Sequence, residues 1–296
     1  MRARLQSHRA IIEVPAGRAR PDALFPSFSS SMNAQLSSPA RAVLVTGGAR
    51  RLGAALCEAF ARAGWHVWCQ FRASGDEARA LAHRLRGEGA SIEAVEADIT
   101  TADGRRALMA QVTAAAPLTC VVNNASAFEP DTGADFDEAA ALRQIGVNLI
   151  APLDLARQLA AQPGTHECCA IHVLDQKVYN LNPDYFSYTV SKLALERAVA
   201  LQAQSLAPRL RVVGVAPGIL YPSGPQAEGN FAIAANANLL RRPINPVDVA
   251  ATCLFLAQTP SLTGTTVCVD NGQHLVPLPR DIMFVTDELL QKHLPA

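Results

Sequence analysis

From Ala42 onward, short apolar, β-rich runs alternate with longer Ala/Leu/Arg segments of helical period, and few folds accept that alternation. The strands predicted are Ala42–Thr46, His66–Phe71, Ile92–Ala97, Thr119–Asn123, Cys169–Leu174, Arg211–Val215 and Thr266–Val269. Helices are predicted near 51–63, 75–88, 102–115, 136–161, 185–206 and 246–257. Interleaved in this way, the elements predict an α/β fold, a single doubly wound parallel sheet of about seven strands with helices on both faces. Near-continuous apolar strands such as Val43-Leu44-Val45 suit a sheet covered on both sides.

Composition narrows the function classes. The chain has 296 residues, 49% hydrophobic and 18% charged, which is ample for a buried core. Lys+Arg 26 balances Asp+Glu 26, so nothing electrostatic points to nucleic acid or an anionic membrane surface. No apolar run approaches the roughly 20 residues of a membrane helix. The Cys count of 7 is odd, with no CxxC pair, and reads as reduced core residues of a cytoplasmic protein. His166-Glu167-Cys168-Cys169 lacks metal-ligand spacing, and no metal is expected. His172, inside a predicted strand, reads as a packed histidine.

Residues 1–41 hold Arg2, Arg4, Arg9, Arg18, Arg20 and Arg41 against Glu13 and Asp22, together with the Ser-rich stretch Ser27–Ser31. Without a sustained hydrophobic period, 1–40 reads as a disordered extension. A transit peptide and a start placed ahead of the true one at Met32 both account for it, and the second is favoured. The domain proper is expected over 41–275, with 276–296 an additional C-terminal arm. Tyr221–Leu240 reads as a mobile insertion before the last helix.

Directly after the first strand comes Thr46-Gly47-Gly48-Ala49-Arg50-Arg51-Leu52-Gly53. Glycines at a strand-to-helix turn let backbone approach a pyrophosphate, whose charge then meets the helix N-terminus. At the end of the second strand a dinucleotide unit for NAD normally places Asp or Glu against the ribose. Here Phe71-Arg72-Ala73-Ser74 offers a guanidinium instead, which suits a 2′-phosphate and therefore NADPH.

With these residues in place, the chain from about Ala42 to Gly272 resembles the short-chain dehydrogenase/reductase family, with its Rossmann-type sheet. Asp98-Ile99 resembles the adenine-contacting pair, Asn124-Ala125-Ser126 the motif after the fourth strand, Asn148 the helix asparagine, and Pro217-Gly218 the turn after the sixth strand. The family's third loop glycine is replaced by Arg51, a departure that looks like the pteridine reductase branch. For the cofactor the resemblance implies Thr46, Gly47, Arg50, Arg51, Leu52, Gly53, Arg72 and Ser74. It adds Asp98, Ile99, Asn124, Ala125, Ser126, Pro217 and Gly218, together with Tyr188 and Lys192. It also implies a homotetramer packed through 136–161, 185–206 and Thr266–Val269.

Tyr188-Thr189-Val190-Ser191-Lys192 sets Tyr and Lys one helical turn apart. Within the family Tyr188 is the proton donor, and a lysine cation nearby is expected to lower its pKa toward a useful range. The resemblance implies that Lys192 also bonds the nicotinamide ribose and that Asn148 holds a water on the proton path. Thirteen residues before Tyr188, where most of the family has serine, stands Asp175. An ionised carboxylate only accepts hydrogen bonds, so it suits a substrate bearing N–H groups or a ring nitrogen that receives a proton. The pteridine reductases share Asp, Tyr and Lys in this spacing. Phe128 matches their pterin-stacking aromatic, and Arg51 their arginine that meets both phosphate and substrate.

The resulting expectation is an NADPH-dependent reductase of a pterin or dihydrofolate-like C=N bond, acting through Asp175, Tyr188, Lys192 and Asn148. A reductase of small carbonyl compounds is the alternative within the family. A non-catalytic NADPH-binding regulator is the alternative of another class.

Overall fold

The computed structural model describes residues 41–115, 117–163, 167–223 and 226–292, so the N-terminal extension lies outside the described residues. The described strands are β1 (Ala42–Val45), β2 (His66–Phe71), β3 (Ile92–Glu96), β4 (Cys120–Asn123), β5 (Cys168–Val173), β6 (Leu210–Pro217) and β7 (Thr266–Val269). They form one parallel sheet in the order β3-β2-β1-β4-β5-β6-β7. The order reverses between β1 and β4, so the loops leaving those two strands part and open a crevice at the carboxyl edge.

Strand alternation sends successive side chains to opposite faces. Val43 and Val45 pack with Leu56 and Phe60 of α1 (Arg51–Arg62), Leu85 of α2 (Gly75–Gly87) and Leu256 of a later helix, Pro246–Gln258. Ala42 and Leu44 pack on the other face with Leu108 of α3 (Ala102–Ala115) and with Leu155 and Val199. Both faces are dry, which is why β1 is apolar without interruption and β4 is apolar up to its last residue, Asn123.

The segment expected as one helix over 136–161 is three pieces. Asp137 caps α4 (Glu138–Ile145) by accepting from the Ala140 amide, Gly146–Ile150 forms a π turn, and α5 (Ala151–Ala160) continues. A π turn inserts one extra residue and leaves no mark in the apolar period, so periodicity alone reads through it. It is followed by α6 (Phe186–Leu206), α7 (Glu228–Ala234), α8 (Pro246–Gln258) and α9 (Ile282–Lys292).

The stretch expected as a mobile insertion contains α7, and the expected arm contains α9. Asn230 Nδ2 of α7 donates to the Met283 carbonyl of α9 at 2.8 Å. Arg280 Nε reaches Asp184 Oδ2 at 2.8 Å, so the segment before α9 returns to the loop beyond β5. No described helix is long and apolar enough to cross a membrane.

Candidate active site

A cleft of about 1330 Å³ opens at the carboxyl edge of the sheet, larger than the roughly 300–1,000 Å³ typical of a small-ligand pocket. Its first half is built by the loop after β1. Gly47 has φ +61, and a Cβ there would approach the Ala125 Cα to 3.1 Å. A Cβ on Gly53 would collide with the Gly47 carbonyl oxygen. Gln70 of β2 fixes the loop, accepting from the Gly47 amide at 3.0 Å while donating to the Ala97 carbonyl at 2.8 Å. Sequence reading passed over Gln70. Its only signal is an amide among the apolar residues Val67–Phe71 of that strand.

Arg51 explains the missing third glycine. Its φ is +51, a left-handed backbone that costs an L residue about 1–2 kcal/mol. A position of that conformation ordinarily goes to glycine. The guanidinium kept there lines the cleft with its carbon 5.9 Å from the centre of the Tyr221 ring. Arg50 and Arg72 line the same cleft, as do Leu52, Asp98 and Ile99. Arg50 also reaches Glu77 at 3.4 Å on the exposed rim. Hydrogen bonds from the Thr100 hydroxyl and amide hold the Asp98 carboxyl below its usual range, and the charge of Arg72 adds to them.

Asn124, Ala125, Ser126, Pro217 and Gly218 line the cleft. Thr46 does not. Its hydroxyl accepts the Asn124 and Ala125 amides, each at 3.0 Å, and so staples the end of β1 to the end of β4. Ser74 precedes α2 without a side-chain cap bond and is likewise absent from the lining. The Asn148 side chain is fully engaged within the protein. Its amide donates to the Ala127 carbonyl at 2.9 Å and to Ser191 Oγ at 3.0 Å. Its oxygen accepts from the Ala127 amide at 2.8 Å and from Ser126 Oγ at 3.1 Å. Both hydrogens and both lone pairs are taken. The side chain therefore braces the π turn against α6 and the β4 loop.

The second half of the cleft gathers Asp175, Tyr188, Lys192 and Phe128. Asp175 caps a short 3₁₀ turn, Gln176–Val178, by accepting the Lys177 amide at 2.8 Å. Its other oxygen accepts the Tyr188 hydroxyl at 2.8 Å. Lys192 donates to the Val173 carbonyl at 2.7 Å, and its Nζ stands 5.7 Å from the centre of the Tyr188 ring. Phe128 stacks on Tyr185 at 4.0 Å and meets the Tyr188 ring edge-on at 4.6 Å.

Burial dominates the titration here. It raises the Asp175 carboxyl, although the Lys177 amide and ammonium pull the other way. It lifts the Tyr188 phenol well above its ordinary value, and the charge of Asp175 adds to that. Burial pushes Lys192 down to about 8. Burial and the Asp175 charge thus outweigh any lowering of the phenol by Lys192. The nearest charge to the phenol is a carboxylate in hydrogen-bond contact, while the ammonium is turned to a backbone carbonyl. His172 is the packed residue expected, pushed down to about 4 by burial and bonded to Asn123 and Gln202, each at 3.1 Å. Among the described residues no group of three His, Cys, Asp or Glu stands poised for a metal, and His166 lies outside them.

The family described as short chain dehydrogenase matches residues 41–228. An uncharacterized oxidoreductase of Mycobacterium tuberculosis is 30% identical over 260 residues, covering 78% of this chain and 91% of its own. A dihydromonapterin reductase of Escherichia coli K12 is 29% identical over 238 residues, covering 79% and 96%. The structure of FolM alternative dihydrofolate reductase 1 from Brucella canis, complexed with NADP, matches with a TM-score of 0.76. It is 37% identical, over 79% of this chain and 94% of that one.

Proposed function

Because the chain belongs to the short-chain dehydrogenase/reductase family, a family of oxidoreductases, we propose that it is an NADPH-dependent reductase of a pterin or dihydrofolate-like C=N bond. The observation that carries the substrate class is the buried Asp175–Tyr188 contact at 2.8 Å, where a serine hydroxyl would serve a carbonyl substrate. The names borne by the E. coli and Brucella relatives support the same reading.

The cleft suits the cofactor. Gly47 and Gly53 let the loop fold tightly onto Ala125 and onto itself at the start of α1, where a pyrophosphate would meet the helix N-terminus, and Arg50, Arg51 and Arg72 supply guanidinium donors to the same cleft. NADPH, when bound, supplies the hydride. Arg72 meets the 2′-phosphate, Asp98 and Ile99 flank the base, and Lys192 orients the nicotinamide ribose. Phe128 offers the substrate ring a stacking partner. Tyr188 gives its hydroxyl proton to the ring nitrogen, and Asp175, whose carboxyl burial makes harder to ionise, passes a proton back to the phenol. The deciding experiment is NADPH consumption with a panel of dihydropterins, dihydrofolate, quinonoid pterins and simple ketones. Turnover of ketones with no pterin reduced overturns the substrate class.

NADPH should be strongly preferred to NADH. A charge-assisted contact to phosphate is worth roughly 1.5–3 kcal/mol, or about ten- to a hundredfold in affinity. Arg72→Asp should shrink or invert the preference in competitive binding of the two cofactors. Equal affinity in the unaltered protein removes Arg72 from this role.

The active form is proposed as a cytoplasmic homotetramer. Buried free thiols at Cys57, Cys69, Cys120 and Cys253 accord with a reducing compartment. Leu142 of α4 and Leu201 of α6 are 59% and 65% exposed on helices that the family pairs between subunits. Sedimentation at micromolar concentration should give four times the chain mass, and a monomer refutes the assembly.

A further inference from the structure

A second network touches the catalytic residues and has no part in the chemistry above. Lys177 is buried, and its Nζ donates to Asp281 Oδ2 at 2.7 Å and to Asn182 Oδ1 at 3.0 Å. Its ammonium also stands 5.5 Å from the centre of the Tyr185 ring. Asp281 Oδ1 accepts the Met283 amide at 3.1 Å, and the Asp281 amide donates to Asp184 at 2.7 Å. Anchoring the C-terminal segment does not demand a buried ammonium, since Arg280 already grips Asp184 at 2.8 Å. Burying a charge is costly unless its partner is fixed.

Lys177 works in two directions. Its side chain holds Asp281, while its own amide holds Asp175 Oδ1 at 2.8 Å. Asp175 Oδ2 in turn takes the Tyr188 hydroxyl. Polar contacts therefore run without a break from the segment before α9 through the 3₁₀ turn to the tyrosine. We propose that Lys177 and Asp281 are positioning residues, in which Asp281 holds the Lys177 ammonium off Asp175 and so leaves that carboxyl to Tyr188. The inference rests on the proton relay proposed above.

The groups facing Asp175 are Lys177 on its own turn and Tyr188 and Lys192 on α6, while Asp281 acts on Tyr188 from beyond. The carboxyls that feel Lys177 besides its partner are Asp184, committed to Arg280, and Asp175. In Asp281→Asn the unneutralised ammonium therefore turns its field on Asp175 and makes the carboxyl easier to ionise. In Lys177→Met the field is gone and the carboxyl is harder to ionise. The two variants should move Asp175 in opposite directions, each by about one pH unit or more.

The test is a carboxyl-carbon NMR titration of the full chain, with the Asp175 signal assigned through Asp175→Asn. The midpoint should fall in Asp281→Asn, rise in Lys177→Met, and follow Lys177→Met in the double variant. Because the relay uses the protonated carboxyl, the alkaline fall of dihydropterin turnover should move the same way, with kcat affected more than KM. An unchanged midpoint in either variant, or movement of both in one direction, overturns the proposal. If Asp281→Asn does not fold, Lys177→Met and the double variant decide, with both midpoints required above that of the unaltered protein. The titration needs no substrate, so failure of the unaltered protein to reduce any dihydropterin counts against the proposed function and not against this pair.

Discussion

Tyr188→Phe is expected to lower turnover by about 10²–10⁴-fold with every substrate the protein reduces, because the phenol is the proton source for pterin and carbonyl alike. The ring itself stays. Its edge contact with Phe128 needs no hydroxyl, so packing at the mouth of the cleft is retained. Asp175 loses the donor at 2.8 Å and with it an interaction that favours its ionised form, so the carboxyl becomes harder to ionise. A neutral acid in that pocket avoids the desolvation of an unpaired carboxylate. The variant should therefore melt close to the unaltered protein and bind NADPH with similar affinity, which a thermal scan and a cofactor titration check. Turnover within tenfold of the unaltered protein would remove Tyr188 from the proton path.

The strands and the glycine loop are legible in the sequence for a physical reason. A parallel sheet buried on both faces forces continuous apolar runs such as Ala42–Val45, and a tight loop packed on Ala125 and on its own carbonyl forces glycine at Gly47 and Gly53. Tyr188 and Lys192 are legible because a helical turn fixes their spacing. Illegible residues belong to contacts between distant segments. Lys177 and Asp281 are 104 positions apart and belong to no motif, and only folding brings the ammonium to the carboxylate.

Some matched residues have a structural task that the spacing does not show. Thr46 and Asn148 occupy motif positions, yet their side chains spend their hydrogen bonds on the β4 loop and the π turn. A spacing match shows that a residue is required, and the contact shows for what. The same limit applies to charge. From the one-turn spacing of Tyr188 and Lys192 an ammonium–phenol pairing is the natural expectation. The fold instead gives the phenol to Asp175 and the ammonium to the Val173 carbonyl.

Asp175→Ser separates the two possible chemistries of the site. Serine keeps the local fold, since its hydroxyl can accept the Lys177 amide as the carboxylate does at 2.8 Å, and the 3₁₀ turn Gln176–Val178 stays capped. What disappears is the second oxygen, which receives the Tyr188 hydroxyl, and the acid that reloads it. Pterin turnover should fall by about 10²–10⁴-fold, the usual weight of a general acid–base group. Removing the carboxylate also removes a charge that raises the Tyr188 phenol, so the tyrosine becomes a stronger acid. A serine hydroxyl restores a donor toward a carbonyl oxygen. Reduction of simple ketones should then be unharmed or improved while reduction of dihydropterins collapses, and NADPH affinity should hold because Arg72 and the loop at Gly47 are untouched. The ratio of kcat/KM for the two substrate classes is the measurement. Equal losses on both would show a site merely damaged, and full retention of pterin turnover would take Asp175 out of the relay and return the substrate class to the carbonyl compounds.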